Sequence, residues 1–256
     1  MARQGSVRGF GILILSLTAG LALVGGAAAA QPATGFTDHF SLDDCTFSST
    51  GGNELFSLHP GDVLHFEGES EDGETVDLVI TVLNKTRTVT LRTEDGDVRV
   101  KTRVVEERES VDDELVEVSR NYFARCAETN DIYYFGEAVD IYEDGEIASH
   151  EGSWVTGQGG ASPGLVMPGT FLLGSRYFQE RAPGVALDRA EHTAMGLAIT
   201  TPAGAFKDCV EIRETSALEP GAASRKVYCP DVGLVIDDEV HLVDFDIADD
   251  GPSPRH

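Results

Sequence analysis

The chain has 256 residues and a formal net charge of −25, with 44 acidic residues against 19 lysines and arginines. A field this negative repels nucleic acids and anionic lipid surfaces, so neither is an expected partner. It suits a saline exterior, where dissolved ions screen the self-repulsion of the chain.

Residues 1–30 have the pattern of an export signal. Arg3 and Arg8 provide a positive start, an apolar run covers 11–26, and the small residues 28–30 suit a signal peptidase. The run is shorter than the about 20 residues that a membrane span needs. We therefore expect a mature chain that starts at Gln31, lies in the periplasm or outside the cell, and has no membrane span.

The next region alternates strand-like runs with tight acidic turns. Asp-Gly pairs between β-branched runs, as at 71–74 and 94–97, are strong hairpin signals, because glycine accepts the positive φ of such turns. No amphipathic helix is evident. The predicted strand runs are 63–66, 76–82, 88–92, 98–105, 115–126, 132–135, 139–142, 146–155, 177–180, 190–200, 205–214, 226–229 and 233–245.

This pattern predicts an all-β fold, an antiparallel meander that forms a barrel or a strongly curved half-barrel. Closing or curling the sheet limits its exposed edges. A long Gly/Pro-rich loop is expected at one end. We predict a single β domain over 31–248 and a disordered tail over 249–256, which has prolines and no apolar face.

Four cysteines in an exported chain predict two disulfides. If 210–215 and 225–228 pair around the turn at 218–221, Cys209 and Cys229 face each other across a hairpin. Cys45 and Cys126 then either form the second bridge or remain unpaired. The cysteine spacing does not match a zinc site.

Residues 152–175 contain no charged side chain, in a chain where 25% of the residues are charged. We call them the charge-free segment. Its apolar residues argue against disorder and for packing on an apolar surface. The segment is either a lid that lines a ligand cavity or a plug in the barrel end. Its candidate ligand-binding residues are Trp154, Leu165, Met167 and Phe171.

Polar residues beside this segment are candidates for acid/base catalysis: His150, Glu151, Tyr177, Glu180, Asp188 and Glu191. Carboxyls near an apolar wall can acquire different pKa values and divide acid and base roles. His150 and His192 are an alternative pair of metal ligands, although their spacing matches no known zinc motif. No cofactor is expected. Gly152-Ser153-Trp154 lacks the second glycine of a hydrolase nucleophile elbow.

Three stretches carry a resemblance to a family. They are an opening Asn53-Glu54-Leu55-Phe56-Ser57-Leu58-His59-Pro60-Gly61, a middle with His150-Glu151-Gly152-Ser153-Trp154 and Met167-Pro168-Gly169, and a close at Tyr228-Cys229-Pro230-Asp231-Val232-Gly233-Leu234-Val235. Together they resemble a functionally uncharacterised family of exported bacterial β-rich proteins. The resemblance implies an exported fold akin to the open half-barrels that carry lipids through the periplasm, and it supplies no catalytic residues.

One position departs from that family, whose usual Tyr-Ala-Pro-Gly is Tyr228-Cys229-Pro230-Asp231 here. Cys229 is therefore interpreted as a local addition that staples a hairpin. The leading hypothesis for function is an exported, non-enzymatic β-barrel that binds an apolar or amphipathic small molecule, or an envelope component, through the charge-free segment. The alternative is a metal-assisted or acid/base enzyme beside that segment.

Overall fold

The computed structural model describes residues 35–70 and 72–247. Within them the fold is all-β, with one turn of 3-10 helix, η1 (Leu42–Asp44). The strands are β1 (Phe47–Ser48), β2 (Gly52–Asn53), β3 (Phe56–Ser57), β4 (Val63–Glu69), β5 (Thr75–Thr93), β6 (Gly96–Val111), β7 (Glu114–Cys126), β8 (Ile132–Glu143), β9 (Glu146–Ser149), β10 (Trp154–Val155), β11 (Ser162–Met167), β12 (Arg176–Phe178), β13 (Glu180–Arg181), β14 (Asp188–Thr201), β15 (Gly204–Ser216), β16 (Ser224–Cys229), β17 (Gly233–Asp237) and β18 (Val240–Asp246).

The predicted signal at 1–30 and the predicted tail at 249–256 lie outside the described residues. Among those that are described, no helical segment has the length and apolar character needed to cross a membrane.

One large antiparallel sheet nearly closes into a barrel with a single seam, which confirms the predicted fold class. Its strand order is β12-β14-β15-β16-β17-β18-β4-β5-β6-β7-β8-β11-β13, with β1, β9 and β10 as side branches. Most neighbours in this order are also consecutive in the chain. The fold is therefore a meander whose two edge strands, β12 and β13, are adjacent in the chain.

A short stretch of chain bridges the seam. β12 pairs with β14 at one edge of the sheet, and β13 pairs with β11 at the other, so the chain changes partner at Gln179. The backbone N–H of Gln179 donates to Asp188 O at 2.7 Å. Gly164 permits the backbone of β11 to approach that of Gln179 closely, since a Cβ at this position would lie 2.1 Å from Gln179 O.

Acidic turns form hairpins where the sequence predicts them. β5 and β6 pair up to Thr93 and Gly96, and β6 and β7 pair around Asp112 and Asp113, whose φ angles are 49° and 67°. Asp144 has a φ of 53° in the turn between β8 and β9. Short polar side chains such as Asp tolerate this left-handed backbone better than other residues do.

Several predicted strand boundaries are wrong. The runs 76–82 and 88–92 are one strand, β5, because its polar middle still pairs with β6 around a bulge between Val82 and Thr86. The run 146–155 is divided by a turn in which Ser153 N donates to His150 O at 3.2 Å. The run 233–245 is divided at Asp238, where a φ of 48° turns the chain from β17 to β18.

Two disulfides join the four cysteines. Val210 pairs with Tyr228, which is the predicted hairpin register, and Cys209 and Cys229 are bridged with their Cα atoms 4.1 Å apart. Cys45 and Cys126 form the second bridge, with Cα atoms 5.0 Å apart. This second bridge ties the N-terminal segment to the end of β7.

Candidate ligand cavity in the barrel

A partly open cavity of about 80 Å³ lies inside the barrel. Its walls come from most sides of the sheet, so it exists only because the meander curls. The apolar lining consists of Leu55, Phe56, Leu64, Ile80, Val82, Val105, Phe123, Val166, Val232, Leu234 and Ile247. The polar lining includes Ser57, Asp62, Glu107, Tyr134, Gln179, Glu180, Glu214, Lys226, Tyr228 and Asp237. The cavity is thus amphipathic.

Four ionisable residues, which we call the lysine cluster, form part of the polar lining: Glu107, Glu214, Lys226 and Asp237. Lys226 Nζ lies 2.6 Å from Asp237 Oδ2 and 3.7 Å from Glu214 Oε2. Lys226 and Asp237 are cross-strand partners on β16 and β17. Glu107 is on β6, several strands away in the sheet, and its charge interacts with Lys226 across the interior.

The lysine cluster contains more carboxyls than cations. Burial tends to lower the pKa of Lys226, but Asp237 and Glu214 raise it well above its ordinary value, so the ammonium stays charged. Burial raises the pKa of Glu107 to about 7, and burial also raises that of Glu214. One lysine cannot compensate three carboxylates, so Glu107 remains partly protonated at neutral pH.

Gln179 links the seam to the lysine cluster. Its Nε2 donates to Glu214 Oε1 at 2.6 Å. This orientation applies while Glu214 is a carboxylate, because the opposite amide orientation would then set two oxygens against each other. The side chain is only 5% exposed, and its Oε1 has no partner among the described residues. A buried acceptor without a donor is costly, so Oε1 marks a place for a donor from a ligand or water.

Polar contacts continue along the interior from Glu107. Asn121 Nδ2 donates to Glu107 Oε1 at 3.0 Å, and Tyr134 OH donates to Asn121 Oδ1 at 2.5 Å. Tyr134 is fully buried and packs against Trp154, with the two ring centroids 5.3 Å apart. The network therefore connects the cavity to the start of the charge-free segment.

Three further carboxyls form what we call the carboxyl cluster: Glu137, Glu180 and Asp188, of which Glu180 also lines the cavity. Glu180 is hydrogen-bonded to both others and accepts from Trp154 Nε1 at 3.2 Å. Burial, followed by the neighbouring carboxylates, raises the pKa of Glu180 well above its ordinary value, that of Glu137 to about 8 and that of Asp188 to about 7.

Protons are therefore shared within the carboxyl cluster at neutral pH. Glu137 Oε1 is buried and has no hydrogen-bond partner among the described residues, whereas the side chain as a whole is hydrogen-bonded to Tyr134 and Glu180. A proton held between Glu137 and Glu180 would meet that need, because two adjacent carboxyls cannot both ionise cheaply.

His192 belongs to a separate aromatic group. Its Nε2 lies 2.9 Å from Tyr177 OH, its Nδ1 lies 2.9 Å from Leu172 O, and its ring stacks on Phe171 with centroids 3.7 Å apart. Burial lowers the pKa of His192 to about 4. The neutral ring is thus a structural anchor that holds Phe171 against β14.

The six candidate catalytic residues do not converge. Glu180 and Asp188 are in contact inside the barrel, and Tyr177 is buried beside His192. The other three, His150, Glu151 and Glu191, are not part of this interior. His150 is exposed and lies 2.9 Å from Asp140, Glu151 is exposed in a turn, and Glu191 pairs with Arg176 on the barrel surface.

The suggested metal pair is also separated into different environments. Among the described residues, neither His150 nor His192 belongs to a group of three metal-binding side chains. Within the same part of the chain, the only such group without a disulfide cysteine is His65, Glu67 and Asp77, an ion-pair cluster on the outer surface.

The charge-free segment supplies two strands of the barrel wall, β10 and β11, and the rest of it is turns and loop. Trp154 is in β10, and Leu165 and Met167 are in β11, which pairs with β8; all three are buried. Phe171 covers His192, whereas the next two residues, Leu172 and Leu173, are exposed. Val166 is the one residue of the segment that lines the cavity. Burial accounts for the absence of charge at 154, 156, 161 and 163–167, whereas 158–160 and 172–174 are exposed.

Sequence patterns did not reveal the residues that define the cavity's polar side. Lys226, Asp237 and Glu107 each lie in or beside an apolar run, as in Lys226-Val227-Tyr228 and Leu234-Val235-Ile236-Asp237. A charged side chain on the inward face of a strand was the available signal, but the inward face is defined only when the register is known.

Comparisons with known proteins leave the family open. No family model and no curated protein matches the chain. One solved structure is similar, that of a Bacteroides fragilis protein inferred to be exported and described as having a YmcC-like fold. It is 13% identical over 76% of this chain and 99% of its own, with a TM-score of 0.40.

Proposed function

We propose that this protein is an exported binding protein that takes up a small amphipathic molecule inside its barrel. The observation that carries the proposal is the cavity with an apolar wall and a concentrated polar side, in which a buried acceptor lacks a partner among the described residues. Ligand sites typically combine apolar walls with a few polar groups that orient the ligand.

Export is supported by the N-terminal pattern and by two disulfides, which persist in oxidising compartments. The compartment is the periplasm or the exterior. The proposal keeps the ligand class expected from the sequence and assigns binding mainly to the barrel interior. The charge-free segment contributes Val166 directly and Trp154 through Glu180.

The size of the cavity limits the ligand. An engineered apolar cavity of about 150 Å³ accommodates benzene, so about 80 Å³ suits a short chain or the end of a longer one that leaves by the open side. Affinities for ligands of a few heavy atoms are modest, about micromolar to millimolar.

The test is the thermal unfolding midpoint in the presence of three hexyl compounds of different charge: hexylamine, hexanol and hexanoate. At least one should raise the midpoint, since a ligand at about ten times its Kd stabilises the folded state by about 1.4 kcal/mol. Ile80→Trp should abolish the effect, because Ile80 is half-buried on the cavity wall. Val98→Trp, on the exposed side of β6, is the matched control.

No stabilisation of the wild-type protein by any of the three compounds would contradict the proposal. Equal stabilisation of wild type and Ile80→Trp would show binding elsewhere and would contradict it as well. The enzymatic alternative has less support, because its candidate residues are divided between the interior and the surface.

A further inference from the structure

The polar side of the cavity offers mainly hydrogen-bond acceptors. Gln179 Oε1 has no partner among the described residues, and the carboxyls of Glu107, Glu214 and Asp237 surround one lysine. The nitrogen donors nearby are engaged: Gln179 Nε2 with Glu214, Lys226 Nζ with Asp237 and Glu214, and Asn121 Nδ2 with Glu107. A ligand that brings N–H or O–H groups would therefore satisfy these acceptors.

The charge of the lysine cluster also favours a ligand that carries donors, and in particular a cation. Lys226 balances the carboxylate of Asp237, which is its shortest contact at 2.6 Å. Glu107 and Glu214 then have no full cationic partner of their own within the cluster. Burial makes their ionisation unfavourable, so in the absence of a ligand a proton on Glu107 takes the place of the missing cation.

We propose that the ligand's polar group is a protonated amine, which donates to Gln179 Oε1 and to a carboxylate of the lysine cluster while its alkyl part lies against the apolar wall. This inference rests on the proposed function and specifies its ligand class. An ammonium group supplies three donors and one positive charge. It can therefore bond to the acceptors of the cavity and also compensate a carboxylate that Lys226 does not.

Other polar groups fit less well. A carboxylate or phosphate would add a negative charge beside three carboxyls, with a lysine whose contacts are already made. An alcohol can donate to Gln179 Oε1 but brings no charge. Water fits the volume, since each molecule needs about 10–15 Å³, and a cavity that holds only water is the competing outcome.

Amine binding should release a proton from Glu107. The titratable groups that interact with Glu107 come from several strands: Glu117 from β7, Glu137 and Tyr134 from β8, Glu214 from β15, Lys226 and Tyr228 from β16, and Asp237 from β17. Lys226 and Asn121 favour its carboxylate, whereas burial and the other carboxylates oppose it. An entering ammonium would also stabilise the carboxylate form of Glu107.

The binding of the amine should therefore depend on pH in a defined way. Below the Glu107 pKa of about 7, the amine must displace a bound proton, and its affinity should fall. Above about pH 10, the amine itself loses its proton, and its affinity should fall again. Hexanol has no charge, so its affinity should change little over the same range.

The experiment is calorimetric titration of the full mature chain with hexylamine, hexanol and hexanoate near pH 8, repeated in buffers of different ionisation enthalpy. Hexylamine should bind about tenfold or more tightly than hexanol, since a charge-assisted hydrogen bond is about twice as strong as a neutral one. Hexylamine should also release a fraction of a proton, which appears as a buffer-dependent heat.

Glu107→Gln tests the assignment to a residue. It keeps the shape of the side chain and removes the carboxylate, so hexylamine binding should weaken about tenfold and proton release should disappear. Hexanol binding should be retained. Asp97→Asn, an exposed carboxylate on the same strand, is the control for the general loss of negative charge.

The outcomes separate the two proposals. If hexanoate or hexanol binds and hexylamine does not bind more tightly, the amine inference is wrong while the binding function stands. If none of the three binds, both are wrong, and the cavity holds water only. A third result would be hexylamine binding without proton release that Asp97→Asn weakens as much as Glu107→Gln does. The amine would then be attracted by the overall negative charge of the protein, and the assignment to Glu107 would be wrong.

Discussion

Burial of carboxyls determines how the stability of this protein depends on pH. Glu137 is 2% exposed, and burial raises its pKa to about 8. A carboxyl whose pKa is higher in the folded than in the unfolded state binds more protons when folded. Its contribution to stability is complete below the unfolded pKa of about 4 and is lost as pH rises through about 8.

We therefore expect the unfolding free energy to fall between about pH 5 and pH 8.5, and Glu137→Gln to recover about 1–3 kcal/mol of it at the higher pH. Urea unfolding at both pH values measures this. Glu143→Gln, exposed at the end of the same strand, is the control. A wild-type protein that is equally stable at both pH values would contradict the interior arrangement of the carboxyls.

His192 acts in the opposite sense. Its pKa is lowered to about 4 by burial, so the folded protein binds fewer protons than the unfolded chain as pH falls from about 6.5 toward 4. In that range His192 lowers the stability, while the more numerous buried carboxyls raise it. The greatest stability is therefore expected in mildly acidic solution, and the loss above neutrality reflects ionisation of the carboxyls.

At the scale of elements, closure of the seam depends on Gly164. Any Cβ at this position would lie 2.1 Å from Gln179 O, which is backbone and cannot move aside cheaply. Gly164→Ala should therefore destabilise the fold by several kcal/mol, as expected for a clash in a packed interior.

The matched control is Gly159→Ala. Gly159 has a φ of 57°, and a Cβ at this position would meet nothing within 4 Å, so only backbone strain of about 1–2 kcal/mol is expected there. Chemical unfolding of both variants gives the comparison. If the two substitutions cost the same free energy, β11 does not pack on Gln179 as described.

The two disulfides should contribute unequally. The bridge between Cys45 and Cys126 spans 81 residues, and that between Cys209 and Cys229 spans 20. Loop entropy gives about 4.5 kcal/mol for the longer loop and about 3 kcal/mol for the shorter one. Paired Cys→Ser variants, compared by urea unfolding, should follow this order; the reverse order would indicate that the N-terminal segment stays ordered without its bridge.

The sequence predicted local features of the fold better than it predicted the site. Asp112, Asp144 and the hairpin between Cys209 and Cys229 depend on residues close in the chain, and their turn chemistry is visible in the sequence. Glu107 and Lys226 are far apart in the sequence and share the interior only after the sheet curls. The sequence indicated that Trp154 packs on an apolar surface, and it is buried. Its hydrogen bond to Glu180 could not be predicted from the sequence.

At the scale of the whole molecule, a very acidic surface and an acidic interior have different consequences. Exposed carboxylates keep the chain soluble and are screened by salt. The interior carboxyls are shielded from salt and retain protons, and Lys226 is the one lysine buried among the described residues. The interior therefore has the capacity to exchange a proton for a cationic ligand.

The most direct test of the central claim is a crystal structure of the mature protein soaked with 5-bromopentylamine, with the bromine located by its anomalous scattering. We expect the bromine near Leu64, Ile80 and Leu234, and the amine nitrogen within hydrogen-bond distance, about 3 Å, of Gln179 Oε1. A bromine site outside the barrel, or a cavity that contains only ordered water at saturating ligand, would contradict the account.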